Sequence, residues 1–175
     1  VPLAMPNSAE PEQTGPAAHL IALLKERGLT IATAESLTAG KVCAAIATVP
    51  GASAVLRGGV VAYATDLKHG LLGVDVAVLH SKGPVDAQVA GQMANGVNSL
   101  CGSDVGIATT GVAGPDSQVG KAVGTVFVAV AWSGADPVVD ELQLGGNRLQ
   151  IQAETVDAML ALAIEVVGGI PLIRE

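Results

Sequence analysis

The sequence predicts a single α/β domain in which a mixed sheet carries helices on both faces, and three observations lead there. Apolar stretches with helical spacing alternate with short β-prone runs through the first three strands. Two further β-prone runs are then joined by a link too short for a crossover, so they pair as an antiparallel hairpin. Half of the 175 residues are hydrophobic but only 2% are aromatic, so the core is aliphatic, and 22 glycines permit close backbone approach.

The opening V-P-L-A-M-P-N-S-A-E-P-E-Q-T-G-P, with four prolines and no periodicity, reads as a disordered lead or an expression remnant over residues 1–16. The domain is assigned to residues 17–175. Leu20, Ile21, Leu23 and Leu24 mark a first helix over 17–27, stopped by Gly28. Leu29 to Ala34 is β-prone, and after the turn residues Ser36, Thr38 and Gly40 a helix covers 42–49. A buried strand lies within 55–64, and a short helix over 65–72 ends at Gly73. A longer helix is expected over 84–100 with Pro84 in its first turn, followed by the strand D-V-G-I-A-T at 104–109. The hairpin strands V-G-T-V-F-V-A-V-A-W and P-V-V-D-E-L-Q-L follow the loop G-V-A-G-P-D-S-Q-V-G, and a final helix runs from about 147 to 167.

Composition excludes several classes of function. A net charge of -7, with neither a basic stripe nor interleaved aromatics, opposes a phosphodiester backbone, so nucleic acid is not an expected partner. Cys43 and Cys101 have no zinc or redox spacing and read as buried thiols. No apolar run approaches the ~18 residues of a membrane span. A soluble, cytoplasmic protein without membrane contact is expected.

In α/β sheets ligands gather beyond the carboxyl ends of strands, where Glu35-Ser36 and Thr110-Gly111 both fall. Ser36 admits two readings at this point. It serves as the N-cap of the following helix, the commoner role, or as a nucleophile, which requires a base. His19, His69 and His80 have no inferable partner, so a Ser-His-Asp triad is not supported. Of the lysines at 25, 41, 68, 82 and 121, Lys41 stands nearest to Ser36, in T-A-G-K, and Lys68 follows the strand that carries Tyr63, five residues on. The loop T-G-V-A-G-P-D, 110–116, is a backbone cradle for an anion or an ordinary turn. It lacks both the P-loop ending and the dinucleotide fingerprint, so ATP and NAD are not indicated.

Taken in order, T-A-E-S-L-T-A-G, R-G-G-V-V-A-Y-A-T-D-L-K, T-G-V-A-G-P-D and K-A-V-G-T-V-F resemble the C-terminal domain of the competence/damage-inducible CinA family. The resemblance implies a three-layer α/β/α sandwich and nicotinamide mononucleotide (NMN) deamidase activity, which yields nicotinate mononucleotide and ammonia in pyridine-nucleotide salvage. It implies Ser36 as nucleophile, Lys68 as base and Tyr63 as a group that relays or orients the proton. The N-terminal amides of the helix after Ser36 are then expected to hold the oxyanion. Substrate contacts implied in the same way are Glu35, Thr38, Gly40, Thr110, Gly111, Ala113 and Gly114, with Arg57, Lys121 or Arg148 meeting the 5′-phosphate. Neither metal nor cofactor is implied, and a homodimer is favoured. The chain departs from the family pattern at Ala39, Ala122, Asn147 and Gln152, the last standing where an arginine is expected. Those departures motivate the alternative of a catalytically weak or inactive nucleotide-binding regulatory domain.

Overall fold

The computed structural model describes residues 14–118 and 120–171. Most of the expected N-terminal lead and the last four residues of the chain lie outside them; Pro16, placed in the lead from sequence, is the first residue of a helix. That helix is α1 (Pro16–Arg27), and it ends where Gly28 takes a left-handed conformation, as its C-terminal position requires. There follow β1 (Ile31–Glu35), α2 (Lys41–Ala47), β2 (Leu56–Val61), α3 (Thr65–Leu72), α4 (Val76–Lys82) and α5 (Ala87–Cys101). β3 (Val105–Gly111), β4 (Thr125–Trp132), β5 (Val138–Gln143) and α6 (Arg148–Gly169) complete the chain.

The strand order is β2-β1-β3-β4-β5. β1 runs parallel to both neighbours, and β4 is antiparallel to β3 and to β5, so the sheet is mixed and the last two strands form the expected hairpin. β1, β2, β3 and β5 therefore all end at one edge of the sheet, where α6 also begins. The connection out of β1 leads to β2 on one side, whereas β3 lies on the other, so the β1/β3 boundary is a topological switch point.

The two faces are filled differently. Val105, Ile107, Val126, Val128 and Val130 meet α1, α2 and α6. Ala32, Ala34, Ala108, Ala129 and Ala131 meet α5 with the shorter α3 and α4. Small side chains on the second face let α5 come close: a Cβ at Gly106 would stand 2.0 Å from the Ala94 carbonyl oxygen. Any larger residue there would push helix and sheet apart.

Two elements differ from the sequence expectation. α4 was not anticipated; its seven residues are too few for a periodic signal, although Asp75, which accepts a hydrogen bond from the Ala77 amide at 2.7 Å, is a regular N-cap. α5 starts at Ala87 rather than at Pro84, because Asp86 caps it through the Gln88 amide. Pro84 lies outside the helix with its carbonyl free to serve elsewhere. Among the described residues no helix is long and apolar enough to cross a membrane.

Candidate active site

Alternation along β1 sends Ile31, Thr33 and Glu35 toward the α2 face and delivers the next residue, Ser36, to the opposite side. The carboxylate of Glu35 turns back under α2. Its Oε2 accepts from Thr38 Oγ1 at 2.7 Å and from the Gly40 and Val42 amides at 3.0 Å, and its Oε1 accepts from the Cys43 amide at 2.7 Å. The N-terminal amides of α2 are thereby occupied, and Glu35, not Ser36, caps that helix from outside it. The expectation that those amides form an oxyanion site is corrected: among the described residues, the Leu37 and Thr38 amides are the ones in this turn without a protein acceptor.

Ser36 instead meets α3. Lys68 Nζ donates to Ser36 Oγ at 3.1 Å and to the Ala62 carbonyl at 2.7 Å, with the Tyr63 carbonyl at 3.5 Å. The lysine side chain is 1% exposed, and among the described residues no carboxylate forms a salt bridge with it. Burial without a counter-charge penalises the ammonium form and lowers its pKa to about 8. A neutral amine is thus accessible near physiological pH, hydrogen-bonded to a hydroxyl. That is the arrangement a serine nucleophile needs.

Both groups line a cavity of about 300 Å³ at the switch point, together with Tyr63, Thr110, Gly111, Ala113, Gly114 and Arg148 from the sequence-derived set. Thr110 Oγ1 donates to the Pro84 carbonyl at 2.7 Å, which ties the β3 end to the segment before α5. Arg148, at the start of α6, donates to the Gly114 carbonyl at 2.7 Å and to the Tyr63 hydroxyl. The Tyr63 ring is half-exposed and its hydroxyl is engaged by Arg148. What Tyr63 presents to Lys68 is its main-chain carbonyl.

The remaining expected contacts lie elsewhere. Glu35, Thr38 and Gly40 are consumed by the capping network beneath the turn and do not line the cavity. Arg57 sits at the opposite end of β2, with Nε on the Cys101 carbonyl at 3.2 Å. Lys121 places its Nζ over the Phe127 ring, 5.6 Å from the centroid, and is likewise absent from the cavity lining. Lys41, the base nearest in sequence, donates to Gln152 Oε1 on the α6 side. No histidine lines the cavity, and among the described residues no three His, Cys, Asp or Glu side chains converge on a metal position. Sequence reasoning passed over Pro84 and the Ala62 carbonyl, which act through main-chain oxygens and leave no side-chain signal.

The family model for the CinA C-terminal domain matches residues 13–167, nearly the whole chain. The chain belongs to the CinA C-terminal domain family. It is 42% identical over 153 residues to a CinA-like protein of Frankia casuarinae, covering 87% of this chain and 35% of that protein. A putative competence-damage inducible protein of Shouchella clausii is 47% identical over 133 residues, covering 76% of this chain and 32% of that one. The chain thus spans about a third of the length of these curated CinA relatives. Among solved structures it is similar to a CinA superfamily protein from Klebsiella pneumoniae 700603 (TM-score 0.85, 27% identity, 89% of this chain and 97% of that one). It is also similar to the competence/damage inducible protein CihA from Agrobacterium tumefaciens (TM-score 0.82, 33% identity, 87% and 96%). Agreement at this level gives the mixed five-stranded α/β sheet as the CinA fold.

Proposed function

We propose that this domain is an NMN deamidase, a serine-lysine amidohydrolase that converts NMN to nicotinate mononucleotide and ammonia. The observation that carries the reading is the buried Lys68 ammonium, without a counter-charge among the described residues, 3.1 Å from Ser36 Oγ on the wall of a cavity. In its neutral form Lys68 accepts the Ser36 proton as Oγ attacks the carboxamide carbon. The C–N bond of the tetrahedral adduct then breaks, and the same proton leaves on ammonia. Water adds to the acyl-enzyme with Lys68 again as base, and the carboxylate product departs as Ser36 regains its proton.

The free amide of Leu37, the residue of the nucleophile turn that lines the cavity beside Ser36, is the candidate for the oxyanion. Among the described residues, Arg148 is the one basic side chain besides Lys68 that lines the cavity, and it is assigned the 5′-phosphate in place of Arg57 and Lys121. The test is incubation with NMN, following nicotinate mononucleotide by mass. Turnover is expected in the wild type and lost in Ser36→Ala and Lys68→Ala. Wild-type rates in either folded variant, or NMN that raises Tm yet is never consumed, overturn the reading.

A further inference from the structure

Gln152 is 5% exposed, on α6 one turn beyond Arg148, and the function proposed above makes no use of it. Its Nε2 donates to the Leu37 carbonyl at 2.7 Å and its Oε1 accepts from Lys41 Nζ. Lysine only donates and a carbonyl only accepts, so these two partners permit one orientation of the amide. Lys41 therefore aims the Gln152 donor at the residue that follows the nucleophile.

That carbonyl needs a partner. Within the turn the Ser36 carbonyl accepts from the Ala39 amide and the Thr38 carbonyl from the Lys41 amide, both at 3.1 Å, and among the described residues the Leu37 carbonyl has no main-chain donor. Left alone it would be a buried, unsatisfied acceptor, and the peptide would swing to relieve it. Such a swing moves the backbone next to Ser36, whose Oγ is held, among the described residues, by the Lys68 hydrogen bond alone. We infer that Gln152 is a positioning residue: with Lys41 behind it, it pins the Leu37 peptide from the α6 side so that Ser36 Oγ stays against Lys68. This rests on the serine-lysine reading.

The experiment compares Gln152→Glu with wild type, using Glu154→Gln as a surface control on the same helix. Glutamate keeps the shape and the Lys41 contact but removes the donor to Leu37. Expected are a kcat lower by about tenfold with KM within about twofold, since the defect is in the placement of the nucleophile and not at Arg148, the proposed phosphate contact. The rate of Ser36 labelling by a fluorophosphonate, read by intact mass, should fall in parallel. Should Gln152→Glu fail to fold, Lys41→Met, which frees the Gln152 amide to rotate, is expected to lower the labelling rate by about threefold. Labelling rates equal to wild type in the folded variant overturn the inference, whatever happens to NMN. Wild-type protein that labels at Ser36 but leaves NMN intact sinks the deamidase reading alone, and the labelling rates still decide the role of Gln152.

Discussion

Glu35 and Lys68 are both 1% exposed, and they stand on either side of the Ser36 backbone. The carboxylate is surrounded by donors: a hydroxyl and three main-chain amides at 2.7 to 3.0 Å. Its charge is met by dipoles and by the N-terminal end of α2, so it is held as a structural element. The ammonium has a hydroxyl and carbonyl oxygens but, among the described residues, no negative charge beside it, and its pKa falls to about 8. Burial alone therefore does not mark a reactive group. What separates the two is whether the neighbours match the charge, and at Lys68 the mismatch brings the change of protonation state down to about pH 8.

The sharpest way to break this contrast is to neutralise each residue. Lys68→Met should lower kcat for NMN by about 10³-fold or more, the loss expected when a general base is removed. Its stability should move the other way. Lys68 has a folded pKa of about 8, below its ordinary value of 10.5, so between those pH values the unfolded chain binds more protons and wild-type stability rises with pH. The variant lacks that term. Its stability relative to wild type, from denaturant titrations, should be greatest below pH 8 and shrink by up to about 3 kcal/mol on going to pH 10.5. A pH-independent difference would show that Lys68 is not strained by burial. Glu35→Gln should do the reverse, destabilising the fold by about 3 kcal/mol as an amide NH₂ is forced against the α2 amides.

A smaller effect tests the same lysine without mutation. Because the amine must be neutral to accept the Ser36 proton, kcat/KM should climb about tenfold per pH unit below 8 and level off above it. A profile that is flat from pH 6 to 9 would remove Lys68 from the base role.

How much of this was legible in the sequence follows from the range of each interaction. Gly28 and Gly73 marked helix ends, and the short link of 133–136 marked a hairpin, because those features are local. The cap of α2 was misread: Ser36 has the commonest capping side chain, whereas the residue in that role, Glu35, reaches its amides only through a turn the sequence does not specify. Local reading offered Lys41 as the nearest base. Lys68 entered through the family resemblance, since it approaches Ser36 only once β2 has paired with β1 and α3 has folded back. Arg57 lies away from the cavity for a metric reason: four residues of extended strand separate it from the carboxyl end of β2, about 13 Å. Arg148, far off in sequence, starts the helix that opens at that edge.

The smallest effect probes the turn that separates the two charges. Ala39 has φ 50°, the described non-glycine residue in the left-handed region, at the position where the family resemblance expects glycine. Its Cβ crowds the following carbonyl in that conformation, at a cost of about 1 kcal/mol, and the exposed methyl gains little from packing in return. Glycine removes the strain but loses more backbone entropy on folding, so Ala39→Gly should stabilise the domain by about 0.5 kcal/mol, a small upward shift in Tm. The Glu35 network holds the turn from below through Thr38 and Gly40, so kcat should stay within about twofold. A large gain in kcat without a change in Tm would mean that Ala39 distorts the nucleophile itself, and that the Glu35 side of the turn is not independent of the Lys68 side.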